Sequence, residues 1–368
     1  MPVRVSFSYL ERQFADLDVY LEDIRALVSS RKLTLGPAVE EFERRFADLS
    51  GLPFAVGVGT GTDAVRLSLE LSGIGSGDEV ITTPNTFIAT VGAIVATGAR
   101  PVFVDSEDGF VINPGLIEAA IGPRTKAIVP VHYTGNVADM PAIARIAERH
   151  GLVVVEDACQ ATAASIDGAP VGSWAVAAAF SLHPLKNLNV WGDGGVVVTR
   201  SAELADRLRL HRNHGLVNRD EVAVWGINSR LDALQAVVGS RLIGDVPTIT
   251  ERRIAVAARY DAALAAVDGI RVPVRRPGVR HVYHLYMVRA EHRDGLLRFL
   301  GDAGVEAKVH YPIPIHLQVA ARSLGYCEGA FPSAERDAKT VITLPAHPYL
   351  TDDEVEYAID RVREFYGT

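Results

Sequence analysis

Lys186 and Asp157 are the side chains of this sequence whose setting suggests covalent chemistry. Lys186 sits in FSLHPLKNLNVWGDGG, Phe180 to Gly195, a short polar turn directly after the apolar, strand-like run VAAAF. A lysine held in a walled site loses its proton at modest cost and attacks a carbonyl, forming a Schiff base with a substrate or with pyridoxal phosphate. Upstream, VVVEDACQA, Val153 to Ala161, reads as a buried strand of β-branched residues that delivers Asp157 and Gln160 at its carboxyl end. Pyridoxal phosphate works as an electron sink only while its ring nitrogen stays protonated, and a fixed carboxylate beside that nitrogen keeps it so. Most lysines are solvated surface charges, so the strand-end acid ahead of Lys186 is what singles it out.

A phosphate needs its own place. In GVGTGTDAV, Gly57 to Val65, glycines and threonines fall where a strand ends and a helix begins, so free backbone N–H groups and the helix dipole converge on one point. The string lacks the third glycine of the dinucleotide fingerprint and has no acid clearly placed for a ribose. By itself it fits an ordinary Gly-rich turn equally well. In PNTF, Phe87 is placed either to stack on a cofactor ring or to cap the core.

These segments need a scaffold, and the chain alternates strand and helix as a mainly parallel sheet covered on both faces does. PAVEEFERRFADLSG opens with Pro37 and closes on Gly51, as a helix should. FAVGV, EVITTP, RPVFVD, TKAIVPVH, LVVVED, AVAAAFSL and GGVVVT read as strands. Helices are expected in TGTDAVRLSLELSGIG, TFIATVGAIVATG and ADMPAIARIAERHG, then from Ala202 to His211 and from Ser229 to Ile243. Beyond about Asp245 the texture changes to a long helix through ITERRIAVAARYDAAL, strands near YHLYMVRA and EAKVHYP, and helices at RDGLLRFLGDAG and DDEVEYAIDRVREFY. The expected division is a large domain over 1–245, N-terminal segment included, and a smaller α/β domain over 246–368.

Composition sets the limits. With 368 residues, 48% of them hydrophobic, the chain can bury a large core. The net charge of -8 is spread without a basic stripe, which argues against nucleic acid or an acidic membrane as partner. Neither a signal peptide nor a spanning run is visible, so a soluble cytoplasmic protein is expected. The two cysteines, Cys159 and Cys327, make no disulfide framework, and no metal-ligand spacing occurs. Cys159 is expected to fill space behind the strand.

Taken in order, LTLGPAVEEFERRFADLSG, GTDAVRLSLELSGIGSGDEVITTPNTFIATVGAI, PVFVD, VPVHYTGNVADM, EDACQA, SLHPLKNLNVWGDGG, RNHG, NSRLDALQAVVG, AKVHYPIPIHLQVA and FPSAERDAKTVITLP resemble the DegT/DnrJ/StrS sugar aminotransferases nearly end to end. The resemblance implies a fold-type I pyridoxal phosphate enzyme that aminates a keto sugar, nucleotide-linked, with a cyclitol or free keto sugar as the alternative. Glutamate or glutamine would be the donor, and pyridoxamine phosphate the form left between the two half-reactions. It makes Lys186 the Schiff-base lysine and proton carrier, Asp157 the partner of the pyridine nitrogen, Gln160 the partner of the ring hydroxyl and Phe87 the residue over the ring. Gly61, Thr62 and Ser181 would hold the phosphate, completed by Asn228 from a second subunit, so a homodimer is implied.

Substrate contacts implied by the same resemblance are Arg230, suited to a bidentate grip on a carboxylate, with His183, His310, Tyr311 and His316. Some relatives carry histidine in place of the lysine and deoxygenate the sugar; Lys186 argues against that. GDGG at Gly192 to Gly195 and NSRLD depart from GEGG and NYRM and lean toward amination at C3. A regulatory protein that keeps the fold without turnover is the reading of another class.

Overall fold

The structure is a computed structural model that describes residues 2–368. Its centre is a sheet of seven strands: β1 (Phe54–Val58), β2 (Glu79–Thr82), β3 (Arg100–Phe103), β4 (Thr125–Ile128), β5 (Val153–Asp157), then, after the small hairpin of β6 (Ser165–Ile166) and β7 (Ala169–Pro170), β8 (Ala177–Ser181) and β9 (Gly195–Thr199). The order across it is β1-β9-β8-β5-β4-β2-β3. Pairing is parallel from β8 through β5, β4 and β2 to β3, whereas β9 is antiparallel to both β8 and β1. The sheet is therefore mixed, with β9 alone running against the rest.

Side chains of alternate strand residues leave on opposite faces, and both faces are covered here. Ala178, Val196 and Val198 enter one core with Phe42, Phe46 and Phe180, while Ala177, Ala179 and Val197 enter another with Leu67, Val80 and Val155. Burial on both sides explains why these strands read as unbroken apolar runs. The parallel strands end together, so Asp157 and Ser181 finish neighbouring strands at the centre of the sheet. The loops leaving the strands converge at that edge, in the manner of other α/β ligand sites.

A third core lies in the C-terminal part. There β10 (Ile270–Arg271), β12 (Tyr286–Ala290) and β13 (Val341–Leu344) form an antiparallel sheet, and β11 (Val279–Arg280) joins the β6–β7 hairpin instead. Tyr260, Leu264, Tyr286, Leu296, Ile342 and Ile359 pack together in it. The helix Val246–Leu264 starts with Val246 in the first core and ends with Ala257, Tyr260 and Leu264 in the third. Val5 crosses into that third core and bridges Val305, so the N-terminal segment packs with the C-terminal elements.

Three local expectations differ from the structure. The helix expected from Ser229 begins at Ala233, because Asp232 is extended and Ser229 is tied to the phosphate-side turn: its Oγ accepts from Gly59 N and donates to Asp63. EAKVHYP pairs only at Lys308, which exchanges backbone hydrogen bonds with Thr343. Pro312 and Pro314 have no N–H to continue a ladder. A helix over Asp18–Ser30, not singled out in the sequence, packs Tyr20 and Leu27 into the first core. No helix among the described residues is long and apolar enough to cross a membrane.

Candidate active site

A cavity of about 460 Å³ opens at the carboxyl ends of the strands, within the range that takes a drug-sized ligand. Lys186, Asp157, Gln160, Ser181, Gly61, Thr62, Phe87, His183, His310 and Tyr311 all line it. Most of the residues singled out from the sequence thus meet in one place.

Its floor is the turn between β1 and the helix Gly61–Leu71. Thr60 caps that helix through its side chain, which accepts from Asp63 N at 2.9 Å, and the N–H groups of Gly61 and Thr62 have no partner among the described residues. Two amides free at a helix N-terminus are a ready anion site. Close packing demands glycine here: a Cβ on Gly61 would lie 2.7 Å from Ser181 Cβ, and one on Gly195 only 2.2 Å from Thr60 O. Reversal of β9 produces the second constraint, since it starts with Gly195 where Val58 and Ser181 end.

Asp157, at the end of β5, has both oxygens fixed. Thr90 Oγ donates to Oδ2 at 2.6 Å and Cys159 N to Oδ1 at 3.1 Å, while Thr86 and Thr90 hydroxyls share a bond of 2.7 Å. Gln160 accepts from Thr134 N at 2.7 Å through Oε1, leaving its amide nitrogen as the end free to donate. Lys186 closes a turn with its N–H on His183 O, and its own carbonyl accepts from the Tyr9 hydroxyl at 2.9 Å. Burial in the cavity pulls the Lys186 ammonium below the usual lysine range, with Cys159 and Asp157 opposing. A lysine lowered by desolvation is what amine nucleophilicity near neutral pH requires.

Those features fit pyridoxal phosphate: an anion cradle at one end, a strand-end carboxylate held in place, and a desolvated lysine between the walls. The sequence agrees at the level of the whole chain. The model of the DegT/DnrJ/EryC1/StrS aminotransferase family matches residues 18–363. This chain belongs to that family. Its relatives include a dTDP-3-amino-3,4,6-trideoxy-alpha-D-glucose transaminase of Streptomyces venezuelae, 43% identical over 96% of this chain and 95% of the other. Another, named a pleiotropic regulatory protein, of Geobacillus stearothermophilus, is 44% identical over 92% of each. Among solved structures, DesV of S. venezuelae, in complex with a ketimine intermediate, superposes with a TM-score of 0.97 at 42% identity over 100% of both chains. NtdA of Bacillus subtilis with bound cofactor PMP has a TM-score of 0.93 at 31% identity over 100% of this chain and 86% of the other. The family is pyridoxal phosphate-dependent, and this member is a transaminase of fold-type I architecture.

Within the aminotransferase, three residues singled out from the sequence stand elsewhere. His316 is buried, with Nε2 on Glu335 at 3.0 Å and its ring against Phe331, so it does not wall the cavity. Arg230 donates to Asn213 Oδ1, and Asn228 is exposed on the same stretch; neither lines the cavity of its own chain. Cys159 corrects in the other direction. It does not fill space behind the strand but lines the cavity, where burial first and Asp157 second push its thiol well up.

His310 shares a hydrogen bond of 2.9 Å with Thr343, and burial, Lys186 and Lys308 bring it down to about 4. Tyr311 is pushed up to about 12 by burial and sits 5.8 Å from the Phe87 ring. The sequence reading missed Tyr9, Thr90, Arg253, His284 and His347, which also line the cavity. Thr90 lay within reach of inspection, in the first turn of the helix after Phe87. Nothing local marks the others.

Proposed function

We propose that this aminotransferase moves an amino group from glutamate or glutamine to the C3 ketone of a dTDP- or UDP-linked sugar. The observation that carries the reading is the meeting of Lys186, the fixed Asp157 and the unpaired Gly61 and Thr62 amides in one cavity. Position 3 and the nucleotide are supported by the name of the S. venezuelae relative and by GDGG and NSRLD in this chain.

Pyridoxal phosphate, when bound, supplies a sink for the electron pair left at the donor's α-carbon. Gly61 and Thr62 amides, with the Ser181 hydroxyl, hold its phosphate, and Asp157 keeps its ring nitrogen protonated, oriented by Thr90 and Cys159 N. Gln160 donates to the ring hydroxyl with the amide end left free by Thr134, and Phe87 covers the ring. Lys186 Nζ, uncharged at little cost because it is desolvated, would take the proton from the donor's α-carbon and hand it to the cofactor's former aldehyde carbon before water releases the keto acid, so that the amine stays behind. With the ketone, Lys186 runs the same transfer in reverse at the carbon that gains the amine. His183, His310 and Tyr311 face the sugar.

Asn228 and Arg230 act in a homodimer, each meeting the cavity of the second copy. Their stretch adjoins the loop carrying Val217, Val222 and Trp225, the last 94% exposed. So large an apolar surface on an ordered loop is a sign of a partner.

Incubation with glutamate and either a dTDP-3-keto or a dTDP-4-keto 6-deoxy sugar tests the assignment, with the amino sugar quantified by mass. We expect the 3-ketone to be converted at least about 10²-fold more efficiently, because the wrong ketone leaves polar groups of the site unpaired. Equal turnover, or preference for the 4-ketone, overturns the C3 assignment. Conversion of neither ketone, with glutamate still bleaching the cofactor, overturns the nucleotide-sugar assignment.

A further inference from the structure

Thr134 holds a backbone conformation that its own side chain disfavours, at the point where the loop after β4 meets Gln160. Its φ is +63°, in the left-handed region, and the residue is buried. A β-branched residue is a genuine outlier there. Such strain persists only where the surroundings fix it, and it clusters beside functional groups.

Three neighbours fix Thr134. Its N–H donates to Gln160 Oε1 at 2.7 Å, its carbonyl accepts from Leu285 N at 3.2 Å, and His281 Nε2 stands 3.1 Å from that carbonyl and 3.2 Å from Thr134 Oγ1. A carbonyl only accepts, so His281 carries a proton on Nε2 and donates it. The imidazole is buried and stacked on the Tyr283 ring, 3.9 Å away, and burial lowers it to about 3, so it stays uncharged. The segment that carries His281 is anchored on both sides of the site. Val282 N donates to Gly135 O at 3.1 Å, and Asn187 Nδ2, next to the lysine, donates to Val282 O at 3.1 Å.

The consequence reaches the cavity through Gln160. An amide side chain has an accepting end and a donating end, and a flip exchanges them. A backbone N–H only donates, so Thr134 N captures the oxygen end. That leaves Nε2, which makes no hydrogen bond among the described residues, as the end Gln160 offers to the cavity it lines. With the amide flipped, the oxygen on the cofactor ring would face an acceptor. We propose that His281 is a positioning residue for the amination: by pinning Thr134 in its left-handed conformation, it fixes which end of Gln160 meets the ring hydroxyl of pyridoxal phosphate. His281 stands outside the cavity wall and acts only through Thr134 and Gln160. The proposal rests on the aminotransferase reading above.

The test is a pH titration of the visible band of the cofactor linked to Lys186. The proton of that linkage is held between its nitrogen and the negatively charged ring oxygen, so a donor on the oxygen weakens the hold and lowers the midpoint, whereas an acceptor raises it. The midpoint is expected to rise by about one pH unit in His281→Leu, the order of one hydrogen bond to a charged oxygen, and by as much in Gln160→Leu. The double variant should rise no further than either single one. His281→Gln, whose amide nitrogen can stand where Nε2 did, should stay within about 0.3 unit of the wild type.

A midpoint that His281→Leu leaves in place while Gln160→Leu moves it overturns the proposal. So do shifts that add in the double variant, which would make His281 a support of the fold alone. An unmoved midpoint in Gln160→Leu overturns it too, because Gln160 would then not meet the ring oxygen. If His281→Leu takes up no cofactor, His281→Asn replaces it: the shorter side chain leaves its donor out of reach of Thr134, so the same rise is expected and an unmoved midpoint counts against the assignment. A wild type that forms no such band defeats the aminotransferase reading, and the proposal with it, before any variant is compared.

Discussion

The two walls of the cavity are built in different ways. One wall comes from strand ends of the seven-stranded sheet, where Asp157 and Ser181 finish adjacent strands and Lys186 comes within one short turn. The other comes from Tyr9, Arg253, His284, His310 and His347, which lie far apart in sequence and are joined through backbone carbonyls and packing. The first wall carries covalent chemistry and tolerates little change, since its geometry is set by the sheet. The second supplies shape and charge, and its energetics are those of buried basic groups kept in check by desolvation.

Substitution of Lys186 by Ala should have the largest effect, because it removes both nucleophile and proton carrier from the first wall. Stopped-flow measurement with glutamate is expected to show a loss of about 10³-fold or more in the first half-reaction. Gly61→Ala probes the same wall through packing. Its Cβ would press on Ser181 Cβ at 2.7 Å and Cys159 Sγ at 3.0 Å, so the turn must shift. Cofactor affinity, read by spectral titration, should weaken about 10-fold, with a stability loss of about 1–3 kcal/mol.

The second wall should respond to pH. Burial first brings His310 and His347 down to about 4, and also His281, which lies outside that wall, to about 3. Unfolded histidines take up protons near 6.5. Between about 6.5 and 4 the unfolded chain binds more protons than the folded one, so stability is fully present above 6.5 and declines as pH falls. The slope is at most about 1.4 kcal/mol per pH unit for each histidine. Urea midpoints at pH 7, 5.5 and 4.5 should fall in that order, and His347→Gln should flatten the decline; a flat profile in the wild type would break the contrast between the walls.

The smallest effect is expected at Thr351, which shares a capping box with Glu354 at the start of the helix Asp352–Tyr366. Glu354 also pairs with Arg12, and these bonds hold its carboxyl down at about 2. Thr351→Ala should cost about 1 kcal/mol in thermal or urea unfolding and leave the half-reactions unchanged. A change in donor kinetics would mean that the N-terminal segment carrying Tyr9 transmits to the active site.

The same contrast explains what was legible in the sequence. The strands leading to Lys186 and Asp157 are buried on both faces, and their apolar runs end on polar residues, so element and site could be read together from one segment. Helix caps at Thr60, Gly51 and Gly151 were equally local signals. Arg253 carries no such mark, being one arginine in a helix of ordinary amphipathic texture, and its burial depends on three carbonyls supplied by residues 283, 284 and 346. His316 shows the reverse case. Its setting in PIPIH resembled a substrate-facing group, yet Glu335, 19 residues on, draws its ring into the protein. Reversal of β9 was also hidden, because a buried strand reads the same in either direction.

Whether Lys186 and the cavity around it form a working aminotransferase site is decided by the visible absorption spectrum of the purified protein loaded with pyridoxal phosphate. The wild type should show a Schiff-base band that glutamate bleaches, and Lys186→Ala should lack both the lysine-linked band and the bleaching within the same time. A wild type that takes up no pyridoxal phosphate, or a Lys186→Ala variant that glutamate bleaches as fast as the wild type, would contradict that role for the site.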